Sequence, residues 1–182
     1  MGDDRGVAAK RGRQTVRDMV LSMAVIGAVV AGIYVFIPHD ENKDPVKPVS
    51  YRVEVDTARR AAPYAVAAPE STPKGWRATS VSYNGQSPDG AVWHLGFLDQ
   101  DKEYAAVEQS DGPAKKFIAT VTQGARKTDV VERIGGVKWD RYQGSQYNAL
   151  VRAEPGVTTV VTGTVPHAEL AKLAAALKVK KT

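Results

Sequence analysis

Residues 19–37, MVLSMAVIGAVVAGIYVFI, form an apolar run of 19 residues that carries no charge. As a helix rising about 1.5 Å per residue it would reach roughly 28 Å, close to the hydrocarbon thickness of a bilayer. A single segment can cross lipid only as a helix, because only then are its own backbone groups hydrogen-bonded internally. The run therefore predicts a transmembrane helix and divides the chain into a tail (residues 1–18), a span (19–37), a spacer (38–50) and a domain (51–182).

The flanks predict the orientation. Arg5, Lys10, Arg11, Arg13 and Arg17 precede the span, whereas only Lys43 and Lys47 lie in the spacer after it. Basic residues stay on the cytoplasmic side, so the N-terminus is expected inside and the domain outside. A cleaved signal peptide competes with this reading, with Val29 and Ala31 as the small-residue pair before the cut. Such a cut would leave GIYVFI as an apolar new terminus, and the run is longer than a usual signal core. Ala24, Ala28 and Gly32, and separately Gly27 and Ala31, recur at four-residue steps. That spacing permits close helix–helix approach, hence homodimerisation through the span.

The 132 residues after the spacer suffice for one domain with a real core. Cysteine is absent, which excludes disulfides, thiolate metal sites and thiol nucleophiles. The net charge is +5, but the cations are scattered and not interleaved with aromatics, so nucleic acid is not an expected partner. Anionic lipid heads or acidic wall polymers remain possible contacts for a tethered, weakly basic domain.

Three prolines and alternating charges in residues 38–50 predict an extended spacer. The alternation in YRVEVD, Tyr51–Asp56, predicts a short strand, followed by a turn or two of helix capped by Asp56 and ending before Pro63. Trp76–Tyr83 reads as a strand with Trp76 and Ala78 on one face and Arg77 exposed on the other. In AVWHLGFL, Trp93, Leu95 and Phe97 share a face; EYAAVEQS reads as the next strand. A helix follows, with Asp111 as cap, Pro113 in its first turn, Phe117, Ile118 and Val121 as its buried stripe, and Gly124 at its end. Gly135–Gly136 and Pro155–Gly156 each predict the turn of a hairpin. PHAELAKLAAALK predicts a last helix with Leu170, Leu173, Ala174 and Leu177 on one apolar face. The fold class is α+β: a two-layer sandwich of a mainly antiparallel sheet covered by two helices. Its expected core is Trp76, Trp93, Leu95, Phe97, Phe117, Val160, Leu170 and Leu173.

The segments PESTPKGWRATSV, YAAVEQSDGP, Gly135–Gly136 with Trp139, and LVRAEPGVTTVVTGTVPHAELAKLAAAL carry a resemblance. Over roughly residues 50–178 the chain resembles a family of actinobacterial single-pass membrane proteins of unknown function. The resemblance implies residence in the cell membrane and no particular activity. TGTVPHAELAKLAAAL is also similar to the strand-to-helix ending of exported domains related to lipoprotein carriers and to a periplasmic regulator of envelope stress.

No chemistry follows from local patterns. His39, His94 and His167 lack metal-site spacing, and no Gly-x-Ser-x-Gly signature occurs. SPDG and QSDG read as turns, as does DQDKE, whose Asp99, Asp101 and Glu103 lack the rest of a calcium loop. The expectation is a non-enzymatic, membrane-anchored binding module in the cell envelope, without catalytic residues, cofactor or metal. Its expected partner is an envelope protein, a lipid or a wall component. A lipid-handling domain with an apolar pocket, or an envelope hydrolase in which acid, base and nucleophile converge, are the alternatives.

Overall fold

A computed structural model describes residues 7–36 and 48–181. Most of the predicted spacer lies outside these residues. The chain divides into two compact units, Met1–Pro45 and Val46–Thr182.

The first unit contains α1, Val7–Phe36. Helix therefore begins in the basic tail, well before the apolar run. Val16–Tyr34 is long and apolar enough to cross a membrane, and its side chains lie exposed.

The second unit is an α+β domain. Its elements are α2 (Arg52–Ala61), β1 (Val66–Pro69), β2 (Arg77–Asn84), β3 (Val92–Leu98), β4 (Tyr104–Ser110), α3 (Ala114–Val121), β5 (Arg126–Ile134), β6 (Val137–Gln143), β7 (Asn148–Glu154), β8 (Val157–Gly163), α4 (His167–Ala176) and β9 (Leu177–Lys180). Seven strands form one antiparallel sheet in the order β2-β3-β4-β8-β7-β6-β5, while β1 and β9 pair as a separate two-stranded sheet. The expected hairpins are present, and Gly135 and Gly136 both adopt positive φ, as a tight two-residue turn requires.

The helices divide between the faces of the large sheet. Trp93, Leu95, Phe97, Val107, Leu150 and Val161 pack with Leu170 and Leu173 of α4 and with Val55 and Ala58 of α2. Phe117 and Ile118 of α3 pack on the other face, against Ala149, Val151 and Val160. Adjacent Val160 and Val161 are both fully buried because successive strand residues point to opposite faces, each of which has its own cover. Phe117 and Val160 thus belong to a second cluster, distinct from that of Trp93.

Tyr64, Gln109 and Trp93 stitch the β1 segment to the sheet. The Tyr64 hydroxyl lies 3.1 Å from the carbonyls of both Ala91 and Gln109. Gln109 accepts from the Ala67 N–H at 2.6 Å and donates to Thr159 Oγ1 at 3.0 Å. Trp93 Nε1–H donates to the Ala67 carbonyl at 3.1 Å.

Several local expectations are corrected. Tyr51–Asp56 is not a strand: α2 starts at Arg52, and Val55 and Ala58, three residues apart, are its buried positions. Asp56 accordingly sits inside the helix. Asp111 does not cap α3; Pro113 holds that position, and the Asp111 carboxylate accepts the Ala91 N–H at 2.7 Å. Leu177 leaves the helix to begin β9 opposite Pro69. Trp76 is only half-buried, set edge-on to Phe97 with ring centroids 6.3 Å apart, and Arg77 is half-buried as well.

Candidate functional site

The face opposite α4 is only partly covered. Over β2, β3 and β4 it presents Ser82 opposite His94 and His94 opposite Glu108; one step along, Ser80 lies opposite Gly96 and Gly96 opposite Ala106. Register places these residues in a row. Side-chain geometry links them further: Ser80 Oγ is 2.7 Å from His94 Nε2, and His94 Nδ1 is 2.6 Å from Glu108 Oε1.

Two protonation states fit these distances. With neutral His94, Nδ1–H donates to Glu108 and Nε2 accepts the Ser80 hydroxyl proton. With the imidazolium, both ring nitrogens donate and Ser80 accepts. The His94 side chain is 24% exposed and that of Glu108 10%, so the pair is partly withdrawn from water. Burial alone would lower the pKa of His94; the hydrogen bond and the negative charge of Glu108 outweigh it, leaving that pKa raised. Tyr104 flanks the group, and burial, followed by the charge of Glu108, raises its pKa too. Its ring lies 5.9 Å from that of Tyr147, centroid to centroid.

A raised histidine pKa sets the sign of a stability change. The contribution of His94 is complete below the ordinary histidine pKa of about 6.5 and is lost as pH rises through the higher folded-state value. Melting temperatures of wild type and His94→Gln, compared from pH 5 to 9, should show the wild type losing ground to the variant as pH rises through that window. Parallel curves would mean that the pair does not couple to folding.

The other sequence candidates have structural roles. His167 Nε2 pairs with the Tyr142 carbonyl at 2.9 Å, fastening the start of α4 to β6. His39 lies outside the described residues. Asp99 Oδ1 accepts the N–H groups of Asp101 and Glu103 at 2.9 and 2.8 Å, and so closes the β3–β4 turn. In SPDG, Ser87 Oγ accepts the Asp89 N–H at 3.4 Å, and Asp89 pairs with Lys116 at 2.8 Å. In QSDG, Ser110 Oγ accepts the Gly112 N–H at 3.0 Å.

Sequence reasoning missed the Ser80–His94–Glu108 group, although one part of it was readable. A turn centred on Asp101 places Leu98 opposite Tyr104, and counting back along both strands places His94 opposite Glu108. Ser80 gave no such signal. Strict alternation from Trp76 and Ala78 would put Ser80 on their face, but a β-bulge between Ala78 and Ser80 reverses the phase.

The family model described as "Protein of unknown function (DUF4245)" matches residues 11–177. No curated protein matches the chain. A solved structure of the Pseudomonas aeruginosa MucA/MucB complex is similar at 14% identity and a TM-score of 0.37. The match covers 65% of this chain and 36% of that one, so the chain spans little more than a third of the matched protein's length.

Proposed function

We propose, from the premise that this chain belongs to the DUF4245 family of proteins of unknown function, that it is a membrane-anchored extracytoplasmic binding module. The N-terminus is cytoplasmic, the Val16–Tyr34 part of α1 is the span, and the domain projects into the cell envelope. The five basic residues ahead of the span, against two in the spacer, support that orientation.

One observation carries the binding role. α3 covers the β7–β8 part of its face and leaves a polar patch on β2–β4, where Ser82 is exposed and His94, Tyr104 and Ser80 are half-buried. These groups sit on paired strands, which hold a contact surface rigidly. The ligand is an envelope protein or wall component that hydrogen-bonds to this patch. A lipid-handling role receives less support. Trp93, Leu95, Phe97, Leu150, Leu170 and Leu173 fill the space between the sheet and α4 and are fully buried. Of the clefts beside α3, the one lined by Val92 and Phe117 holds about 170 Å³ and the one lined by Ile118, Ala125 and Tyr142 about 410 Å³, and neither opens into this filled layer.

A photo-crosslinking amino acid at Ser82 in the full-length protein, irradiated in intact cells, tests the reading. A defined adduct from position 82 that is absent when the probe stands at Arg133, on the far edge strand, is the expected result. Background labelling at both positions counts against it.

A further inference from the structure

The patch carries more than a recognition surface needs. Its serine, histidine and glutamate are linked in the order that activates a nucleophile: hydroxyl to Nε2 at 2.7 Å, Nδ1 to carboxylate at 2.6 Å. In such a chain the imidazole can take the hydroxyl proton while the carboxylate holds the ring's tautomer and orientation.

Two backbone features serve this arrangement. The bulge between Ala78 and Ser80 leaves Thr79 outside the strand pairing and turns Ser80 onto the face of His94. Bulges re-aim side chains in this way beside functional sites. Opposite Ser80 stands Gly96, where an added Cβ would lie 2.3 Å from Ser80 Oγ and 3.3 Å from His94 Nε2. Only glycine leaves the hydroxyl its place.

We propose that Ser80 is an activated nucleophile toward carboxylic esters, with His94 as its general base and Glu108 as a positioning residue. The proposal rests on the β2–β4 patch being the ligand-contacting face. Ser80 Oγ bonds to the ester carbonyl carbon, its proton passes to His94 Nε2, and the carbonyl π pair moves onto oxygen. On collapse the bond to the alcohol oxygen breaks, and His94 returns the proton to that leaving group. Water then repeats the sequence on the acyl-Ser80 ester, releasing the carboxylic acid and restoring the hydroxyl. Esters fit better than amides, because an alcohol departs more readily than an amine.

The test treats the full-length protein, in its membranes, with a fluorophosphonate probe. Ser80 Oγ bonds to phosphorus, fluoride leaves, and His94 takes the proton. Peptide mass spectrometry should place the adduct on Ser80. Ser80→Ala should abolish it, and His94→Gln should slow it by about 100-fold or more. Ser71→Ala, in the loop after β1 and outside the patch, should label at the wild-type rate. Gly96→Ala, by crowding the hydroxyl, should label slowly while its circular dichroism stays native.

A pH profile separates a base from a structural partner. Glu108 on β4 is the charged group facing His94, with Ser80 and Ser82 from β2 and Tyr104 from β4 beside it. The labelling rate should climb as His94 loses its proton, and Glu108→Gln should move the midpoint to lower pH. An unlabelled Ser80 in the folded protein, or wild-type labelling of His94→Gln, overturns the proposal whatever crosslinking at position 82 returns. Failed crosslinking with Ser80 labelled instead removes the binding reading and leaves the nucleophile.

Discussion

Trp93→Ala is expected to lower the unfolding free energy of the domain by about 3–5 kcal/mol, the usual loss for a buried aromatic. The Trp93 ring is fully buried at the centre of the larger cluster, and its Nε1–H is the donor to the Ala67 carbonyl. Truncation removes the ring's contacts, opens a cavity against Leu170 and Leu173, and orphans that carbonyl in the interior. Trp93→Phe separates these contributions, since it keeps most of the volume and loses the donor; its expected cost is about 1–3 kcal/mol. Urea unfolding of the detergent-purified chain measures both. A loss for the alanine variant below that for phenylalanine would show that the ring is not packed as described.

The second large effect is expected at Gly163, where β8 passes between β4 and β7. A Cβ there would lie 2.0 Å from the Tyr104 carbonyl oxygen and 2.7 Å from Ala105 Cα. These are backbone atoms of the neighbouring strand and cannot rotate aside. Gly163→Ala must therefore push β4 and β8 apart, weakening the ladder and the 2.8 Å bond from the Thr164 N–H to the Tyr104 carbonyl. Overpacking of this kind costs about 3 kcal/mol, or roughly 10 °C in melting temperature for a domain of this size. An unchanged melting temperature would mean that the strands approach less closely here.

Both sites show how legibility varied along the chain. Trp93, Leu95 and Phe97 announce their shared face by alternation, and burial follows from it. Nothing local marks Gly163, because its demand comes from Tyr104, some 60 residues earlier in the chain. The same contrast separates the two halves of the candidate site. His94 and Glu108 sit on consecutive strands joined by a short turn, so their meeting follows from register. Ser80 reaches them only through a bulge that no propensity signals.

Residues 51–56 show pattern reading failing for a physical reason. Tyr51, Val53 and Val55 alternate as a strand would, yet Val53 is 71% exposed on α2 while Val55 and Ala58 are buried. Packing against β1 selects the helical stripe, and β1 itself exists through pairing with β9, over 100 residues later.

What the sequence determined alone was whatever depends on neighbours within a turn or a hairpin: the apolar helix, the alternating strands, the glycine turns and the amphipathic last helix. Tertiary structure decided which face each helix covers, how β1 meets β9, and where a bulge turns Ser80 toward His94. Those outcomes depend on contacts between residues far apart in the chain, and side-chain periodicity carries no record of its distant partners.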